Sequence, residues 1–489
     1  MSPPIESFDD IKYKDLMDGL ECSEVYLSNL ERTARIDAEF YKKENLSIEA
    51  ILKKTTFYPF ADFFAVSDGN HMSISENFQK EGVPYYRGQD IYNVFIEEAN
   101  PIFIDEKIYE HPHMQRSHLQ AGDVLMSIVG AIVGNSAIVS SNEKATCSCK
   151  LSIMRTKHNG ILPEVMLIYI KTKYGQNQIQ KFKRGAAQTG LLLEDFDQLY
   201  IPMFGDDFQQ IILNIVSIAR KSATTANREY FDAQKIFLDS VEYDQEKKST
   251  VIAISKKSFL DSFAITGRLD AEYYQPKYDV LFDILTKVPT KLLGGVNGIV
   301  DIMKSIEPGS EAYTDQGIPY VRVSDLSKFE IVHPEIKIKP DIVSNAHKYF
   351  PKKDTILFSK DGSVGIAYKV ESDMQIITSG ALLHLKVRDT REILPDYLAL
   401  VLNSPIVQLQ AERDSNGAII QHWKPSEVEK VVIPVLDMGI QQKIVDKVQN
   451  SFALRKSSKR LIEYAKQAIE MAIEQGEGMA SKWIKDKVE

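Results

Sequence analysis

The chain repeats itself at an offset of about half its length. The string "RIDAEFY" begins at Arg35, and "RLDAEYY" begins at Arg268. Further on, "GVPYYRGQDI" from Gly82 returns as "GIPYVRVSDL" from Gly317, and both fit the pattern G-[VI]-P-Y-x-R-x-x-D-[IL]. Chance matches would not recur in the same order at nearly constant spacing, so the pattern indicates a duplication.

Two later landmarks keep the spacing. "GDVLMSIVGAIVG" from Gly122 matches "KDTILFSKDGSVG" from Lys353. "GAAQTGLLLEDFDQLYIP" from Gly185 matches "GAIIQHWKPSEVEKVVIP" from Gly417, and a Gln-Gln pair follows each, at Gln209 and Gln441. The repeating unit is too long for one turn of a solenoid, so it predicts one domain with an appendage.

The sequence of each unit predicts a mixed α/β domain. Short apolar runs, such as 356–358 and 376–378, are separated by turn clusters such as "DGSVG", which predicts strands. The segments "LPEVMLIYIKTKYGQNQIQKF" and "LPDYLALVLNSPIVQLQ" predict helices with a proline near the start, a position that helices tolerate. The Asp-Ala-Glu string is helix-like in composition.

Beyond each Ile-Pro landmark the sequence predicts a long amphipathic helix, over 208–244 and 439–477. Apolar residues recur there mostly at helical spacing. In the first helix they are Ile211, Ile215, Ile218, Phe231 and Ile236, and in the second Ile444, Val448, Phe452, Leu461, Ala465, Ile469 and Ile473. Each helix could pack on its own domain, or the two on each other as a spacer. We favour the second because the stripes are narrow enough for a coiled-coil seam.

These patterns divide the chain into four parts. We expect a first domain over 1–207, a long helix and linker over 208–256, a second domain over 257–438, and a long helix with a tail over 439–489. No charged-then-apolar leader and no run of about 18 apolar residues occurs, which favours a cytoplasmic protein without a membrane span.

Composition limits the chemistry. The three cysteines, Cys22, Cys147 and Cys149, are too few for a disulfide framework or a closed zinc site. The net charge of −9 argues against a surface that is basic all round, although a local basic groove is compatible with it.

Motifs for catalysis do not stand out. "SIVGAIVG" lacks the Lys-Ser/Thr of a phosphate-binding loop, so turn geometry explains its glycines better. "HPH" at 111–113 and "CSC" at 147–149 have no match in the other half, so surface imidazoles and a buried thiol pair are preferred to metal ligands. There is no Pro-Pro-aromatic tetrapeptide of the kind typical of amino-group methyltransferases. We therefore expect another chain to supply catalysis.

The ordered set of landmarks, in duplicate, resembles the specificity subunit of type I restriction–modification systems. The resemblance covers nearly the whole chain. It implies two target-recognition domains, each binding one half of a split double-stranded DNA site, and two long helices packed as an antiparallel coiled coil that separates them. It also implies partners: two methyltransferase subunits and restriction subunits. S-adenosylmethionine, ATP and Mg would be used by those partners, and this chain would bind no cofactor or metal and catalyse nothing.

The duplication also sorts the candidate DNA contacts. Residues common to both copies cannot distinguish two half-sites, so they should hold the fold or contact phosphate, whereas base readout should fall where the copies differ. For Arg87 and Arg322 a structural ion pair with Asp90 and Asp325 competes with phosphate contact. The candidates are Tyr85, Arg87, Gln89, Ser127, Ile128, Lys181, Lys183, Arg184, Gln188 and Thr189 in the first copy, and Tyr320, Arg322, Ser324, Ser359, Lys360, Ser363, Gln421, His422 and Lys424 in the second.

A second class of function stays open at this point. The chain could be a non-catalytic two-domain scaffold of a related defence system, with β-rich units that bind protein or another polymer. Salt-sensitive binding to duplex DNA in the presence of a methyltransferase subunit would favour the DNA-specificity role instead.

Overall fold

The computed structural model of the chain describes residues 9–33, 35–157, 160–185, 189–244, 254–332, 334–340, 345–415 and 421–488. It divides into two units. The first takes the chain up to Thr224 together with everything from Arg455 onward, and the second is Thr225–Leu454. Each unit has its own sheets and hydrophobic core.

The first unit contains two four-stranded sheets and a two-stranded ribbon. The sheet orders are β2-β9-β6-β7 and β3-β5-β4-β8, and β1 pairs with β10. The strands are β1 (Phe57–Pro59), β2 (Phe64–Asp68), β3 (Phe78–Gln79), β4 (Val83–Tyr86), β5 (Ile102–Ile104), β6 (Val124–Ser127), β7 (Ser136–Ile138), β8 (Thr146–Cys147), β9 (Leu151–Thr156) and β10 (Tyr200–Pro202). All pairs are antiparallel except β4 with β8.

Helices cover the first unit's sheets and lead into the first long helix. They are α1 (Asp10–Met17), α2 (Leu27–Thr33), α3 (Lys43–Leu52), α4 (Phe60–Phe63), α5 (Glu106–Tyr109), α6 (Pro163–Lys171), α7 (Lys173–Phe182) and the long α8 (Asp206–Ser240). As expected from the sequence, a proline stands at the start of α6, where its missing N–H leaves no hydrogen bond unmade.

The second unit repeats the architecture strand by strand. Its sheet orders are β12-β19-β16-β17 and β13-β15-β14-β18, with β11 paired to β20. The strands are β11 (Thr290–Leu292), β12 (Val300–Lys304), β13 (Tyr313–Thr314), β14 (Ile318–Val321), β15 (Lys337–Ile338), β16 (Ile356–Ser359), β17 (Ala367–Lys369), β18 (Ile377–Thr378), β19 (Leu382–Val387) and β20 (Val432–Pro434). Here too the only parallel pair of named strands in the described residues is the corresponding one, β14 with β18.

The helices of the second unit also follow the first. They are α9 (Phe263–Thr266), α10 (Pro276–Leu285), α11 (Pro395–Leu402), α12 (Pro405–Asp414) and α13 (Pro425–Val428). The long α14 (Met438–Gln475) then begins in the second unit, and its part from Arg455 onward belongs to the first unit, together with α15 (Glu477–Val488). The mixed α/β fold and the duplication predicted from the sequence are therefore both confirmed.

The duplicated strings make the same local contacts in both units. The guanidinium of Arg35 donates to Asp37 at 2.6 and 2.8 Å, and Arg268 donates to Asp270 at 2.8 Å. The string forms a turn in the first copy and a short 3-10 helix, Ala271–Tyr274, in the second, and α3 and α10 begin only after it. The arginine–aspartate ion pair holds this segment, and a helix follows directly after it in both units.

The landmark glutamines Gln209 and Gln441 are buried structural residues. The side-chain oxygen of Gln209 accepts from Leu162 N at 2.9 Å, and its amide donates to the carbonyls of Gly160 and Phe204. Gln441 makes the same bonds to Leu394, Glu392 and Leu436. Each glutamine thus ties the first turn of a long helix to the start of α6 or α11.

The long helices share a core with each other in both units. In the first unit, the early part of α8 packs with the late part of α14; in the second unit, the late part of α8 packs with the early part of α14. This order is antiparallel, as predicted. Buried residues recur in steps of four and three, with one step of seven from Ser451 to Ser458, and this is the 3.5-residue period of a coiled coil. They are Ile212, Val216, Ala219, Ala223, Ala226, Tyr230, Ala233 and Phe237 on α8, and Ile444, Val448, Ser451, Ser458, Ile462, Ala465, Ile469 and Ala472 on α14.

The prediction of seam residues is wrong at two positions. Ile218 is 48% exposed and Phe231 is 63% exposed. Each stands one position from a true seam residue, Ala219 or Tyr230, and one residue rotates a helix by about 100°. The prediction weighted bulky residues, whereas much of the α8 seam is alanine. The other predicted positions lie in or against a core: Ile211, Ile215, Leu461, Ala465, Ile469 and Ile473 in the first unit, and Ile236, Ile444, Val448 and Phe452 in the second.

Candidate DNA interface

Three loop segments that carry the duplicated landmarks meet on one face of each unit. In the first unit they are 86–90, 127–134 and 189–191, joined through the segment that links β8 to β9. Ser148 N donates to Tyr86 O at 2.9 Å, Ile128 N donates to Lys150 O at 3.0 Å, and Leu191 N donates to Ile128 O at 2.9 Å. We call this face the loop surface of the first unit.

The second unit builds its loop surface with the same bonds, from segments 321–325, 359–365 and 421–424. Ser379 N donates to Val321 O at 2.8 Å, Lys360 N to Ala381 O at 2.9 Å, and Trp423 N to Lys360 O at 2.8 Å. Two stretches that are far apart in sequence therefore have one backbone frame, on which their side chains can be compared directly.

Glycines shape the turn in this frame. Gly130 and Gly362 have φ of 95° and 71°, and Gly134 and Gly365 have φ of 97° and 87°. The side-chain amides of Gln176 and Gln408 donate to the carbonyls of Gly134 and Gly365, at 3.2 and 2.7 Å. A left-handed backbone favours glycine because it has no Cβ, so the glycines of the landmark serve turn geometry, as predicted.

Backbone bonds also settle the alignment of the third segment. Gly130 N donates to Thr189 O at 2.8 Å, and Gly362 N donates to Gln421 O at 2.9 Å. Antiparallel bridges join Val129 to Gly190 in the first unit and Asp361 to His422 in the second. Thr189 therefore corresponds to Gln421, and Gly190 corresponds to His422. Gln188, another of the predicted DNA contacts, lies outside the described residues.

The duplicated arginine is held by its aspartate. The Nε and Nη2 atoms of Arg87 each donate to a carboxylate oxygen of Asp90 at 2.9 Å. The backbone N of Arg87 also donates to Asp90, at 2.8 Å. The hydrogen bond to Asp90 raises the pKa of Arg87 although burial opposes it. In the second unit the Arg322 guanidinium lies 3.6 Å from Asp325. The structural ion pair is confirmed for both.

Five of the residues predicted to contact DNA are buried. Tyr85 and Ile128 are each 5% exposed, and Tyr320, Ser127 and Ser359 are fully buried. The Ser359 hydroxyl donates to Ser363 O at 2.6 Å and accepts from Ile366 N at 2.8 Å, so it holds the turn from inside. The tyrosines alternate inward on their strands by the period-two rule. These residues support the loops from inside. The prediction that they contact DNA directly is therefore wrong.

Lys181 was also wrongly placed on the DNA side. Its ammonium lies 2.8 Å from Glu49 and 4.3 Å from the Phe40 ring centroid, and its side chain is 10% exposed. Burial alone would raise the pKa of Glu49, but hydrogen bonds from Lys181 and Lys53 lower it. Arg413 stacks on Tyr273 in the same way in the second unit, at 5.0 Å. Lys181 thus packs α7 against Phe40 of the duplicated string in the first unit, and Arg413 packs α12 against Tyr273 of the string in the second.

The remaining candidates lie at the surface. Arg184 is partly exposed and bonded to Asp195, while Lys183 and Thr189 are half-buried and Gln89 is exposed in the first unit. In the second unit Lys360 is mostly covered and bonded to Asp361, whereas Arg322, Ser324, Ser363, Gln421, His422 and Lys424 are exposed. Polar and cationic side chains of this kind can contact phosphates and base edges.

Sequence reasoning missed Asp361. Its carboxylate lies 2.8 Å from Nδ1 of His422 and also accepts a hydrogen bond from Lys360. The signal was present, because Asp361 stands in the landmark turn at a place where the first copy has Val129.

In the two unmatched motifs, Cys147 is buried but Cys149 is only partly so, which differs from the expected buried thiol pair. His111 and His113 are exposed, and burial raises the pKa of the Cys147 thiol, which favours its neutral form. In the described part of the chain there is no group of three or more residues that could hold a metal ion. Nor is any described helix both long enough and apolar enough to span a membrane.

One segment of the chain matches a known protein family. Residues 293–466 match the family described as "Type I restriction modification DNA specificity domain". This segment is similar to a type I restriction–modification specificity domain. The match covers β12–β20, the loop surface of the second unit and much of α14. The first unit repeats the landmarks, sheet orders and loop bonds of the matched segment.

Solved structures also match the chain. A "Type-I restriction-modification system S subunit from M. genitalium" is 14% identical, with 86% of this chain and 95% of that chain covered and a TM-score of 0.38. An HsdS subunit from Thermoanaerobacter tengcongensis is also 14% identical, with 86% and 97% covered and a TM-score of 0.28. No curated protein matches the sequence.

Proposed function

We propose that this chain is the DNA-recognition subunit of a type I restriction–modification complex, in which each specificity domain reads one half of a split site. The match of residues 293–466 to the specificity-domain family carries the proposal. The repetition of the whole frame in the first unit supports two readers, and differences between the copies at corresponding loop positions support two different half-sites.

The loop surfaces are the proposed DNA contacts. Lys183 in the first domain, and Arg322 and Lys424 in the second, have cationic groups suited to phosphates, which set affinity and orientation without reading sequence. Base edges are read by side chains that differ between the copies, such as Gln89 against Ser324 and Thr189 against Gln421. Glycines in the turns let the backbone come close to the duplex.

The long helices act as the spacer between half-sites. The coiled-coil seam supports this role because close packing along many turns makes a stiff element. The helices and adjoining surfaces would dock two methyltransferase subunits, with restriction subunits joining the complex. Adenine methylation with S-adenosylmethionine, and cleavage with ATP and Mg, would belong to those partners.

The test is co-expression of this chain with its methyltransferase subunit, followed by mapping of methylated adenines in the host DNA. We expect a bipartite consensus with an unspecified gap. In parallel, the rigorously purified chain alone, given labelled S-adenosylmethionine and plasmid, should transfer no label. A continuous consensus, methylation that does not depend on this chain, or label transfer that survives further purification would each contradict the proposal.

A further inference from the structure

His422 and Asp361 form a fixed polar pair on the loop surface of the second unit. Nδ1 of His422 lies 2.8 Å from Oδ1 of Asp361, and the other carboxylate oxygen accepts a hydrogen bond from the ammonium of Lys360. The His422 side chain is 63% exposed, whereas those of Asp361 and Lys360 are 22% and 15% exposed. The imidazole is therefore the outermost group of the cluster.

The backbone on both sides of His422 is held in place. Asp361 and His422 form an antiparallel bridge, flanked by the bonds from Gly362 N to Gln421 O and from Trp423 N to Lys360 O. The indole of Trp423 is 1% exposed and its ring lies 5.8 Å from that of Phe358. The buried indole anchors the strand, so the neighbouring imidazole projects from a rigid position.

The first unit shows that the fold does not require this side chain. Its loop surface has the same flanking bonds, with Val129 in place of Asp361 and Gly190 in place of His422. An identical frame therefore forms with no side chain at all at the histidine position. A polar pair that one copy has and the other lacks is what two readers of different sequences need.

The hydrogen bonds fix which ring nitrogen carries a proton. Asp361 accepts from Lys360, and an ionised carboxylate can only accept, so Nδ1 of His422 must donate to it. In the neutral imidazole the outward Nε2 is then an acceptor. Among base edges in the major groove, the donors are the amino groups of adenine and cytosine.

We propose that His422 is a base-reading residue of the second specificity domain, accepting from an adenine or cytosine amino group through Nε2, with Asp361 as its positioning residue. The inference rests on the proposed function, since it names how one of the two surfaces reads its half-site. It also assigns a difference between the half-sites, because the first domain has no side chain at the corresponding Gly190.

The experiment uses the complex of this chain with its methyltransferase subunits and duplexes in which each base pair of the recognised site is exchanged in turn. We expect one position of the second half-site where the wild type discriminates by about 5- to 150-fold and H422A no longer does. At that position, an adenine or cytosine analogue without its amino group should weaken the wild type and leave H422A unchanged.

Two further variants guard against a purely structural effect. H422G places at this position the residue that the first unit carries in the same frame, so it should fold and lose the same discrimination. D361N should change preference at that base pair alone. Lys424→Ala is the matched control: Lys424 is an exposed cation two residues away, and its loss should weaken all duplexes alike.

The outcomes separate the two levels of the hypothesis. Full discrimination at every base pair in both H422A and H422G overturns the inference and leaves the proposed function standing. Dependence on guanine N7 or O6 instead of an amino group overturns the assignment of Nε2 as an acceptor. A wild-type complex with no bipartite preference overturns the proposed function itself.

Discussion

The Ser451 hydroxyl donates a hydrogen bond to the backbone carbonyl of Ala226 at 2.7 Å, and both residues are completely buried. Ser451 lies on α14 and Ala226 on α8, so the bond fixes the register of the two antiparallel helices in the second unit. Nearby, Lys447 lies 3.1 Å from Glu229 and 3.2 Å from Asp232, in the same register.

The first prediction concerns the proposed spacer. Four residues inserted in both helices, after Thr224 in α8 and after Leu454 in α14, should lengthen each by about 6 Å. Since a base pair advances about 3.4 Å, the gap between half-sites should grow by one or two base pairs with both half-sites unchanged. Methylome mapping measures the gap.

Two-residue insertions at the same places are the control for that design. Four residues rotate the seam by only about 40°, whereas two rotate it by about 200° and should prevent assembly. An active four-residue variant with an unchanged gap would mean that the helices do not set the distance.

The second prediction separates the true seam from the one read off the sequence. Replacing the fully buried Ala226 with leucine should lower the free energy of unfolding by about 1–3 kcal/mol, because the close-packed seam has no room for added methylenes. Phe231→Ser, at a residue that is 63% exposed, should change it by less than about 0.5 kcal/mol. Denaturant unfolding of the two variants compares them, and a larger loss at Phe231 would place the seam elsewhere.

The third prediction is that Arg87 acts on stability and not on sequence preference. Arg87→Ala leaves the 7%-exposed Asp90 without its partner and should cost about 1–3 kcal/mol in the unfolding of the first domain. Arg322→Ala should cost less, because its contact is longer and more exposed. If Arg87→Ala changed the methylated consensus without loss of stability, the residue would be a reader instead.

The fourth prediction is that the domains read independently. Exchanging residues 60–200 for the matching part of a related subunit transfers β2–β9 and all three segments of the first loop surface. One half of the consensus should change and the other should stay, because the second loop surface is built entirely from the second unit. A change in both halves, seen by methylome mapping, would show that the two surfaces do not act separately.

The fifth prediction concerns acid sensitivity. Burial lowers the pKa of His384 to about 4, and its ring lies 2.8 Å from the Thr378 hydroxyl. Between the ordinary value near 6.5 and about 4, the unfolded chain binds a proton that the folded chain does not, so stability falls as pH falls through this window. The loss should approach about 3 kcal/mol for this group.

His384→Gln, which retains a hydrogen-bonding side chain without a titrating ring, should flatten that part of the profile. Unfolding by denaturant at several pH values gives the slope. An unchanged slope in the variant would show that His384 is not the group responsible.

Local sequence signals were enough to predict the architecture of one unit and its repetition. Ordered landmarks with constant spacing identified two copies, the proline-led apolar segments gave α6 and α11, and the long stretches without proline or glycine gave α8 and α14. These signals also indicated the Arg87–Asp90 pair. These features are local, because periodicity, turn residues and short spacings act within a few residues of the chain.

Contacts between distant segments set which side chains face outward and which loops pack together. Tyr85, Ser127 and Lys181 are in duplicated or basic motifs, yet burial and the Glu49 contact turn them inward. Much of the seam on α8 consists of alanines, because close helix packing favours small residues. A search for bulky apolar residues therefore could not find these positions. The pairing of His422 with Asp361 joins positions 61 residues apart in sequence. Only the backbone bonds between those loops bring the two side chains together, and no local pattern encodes them.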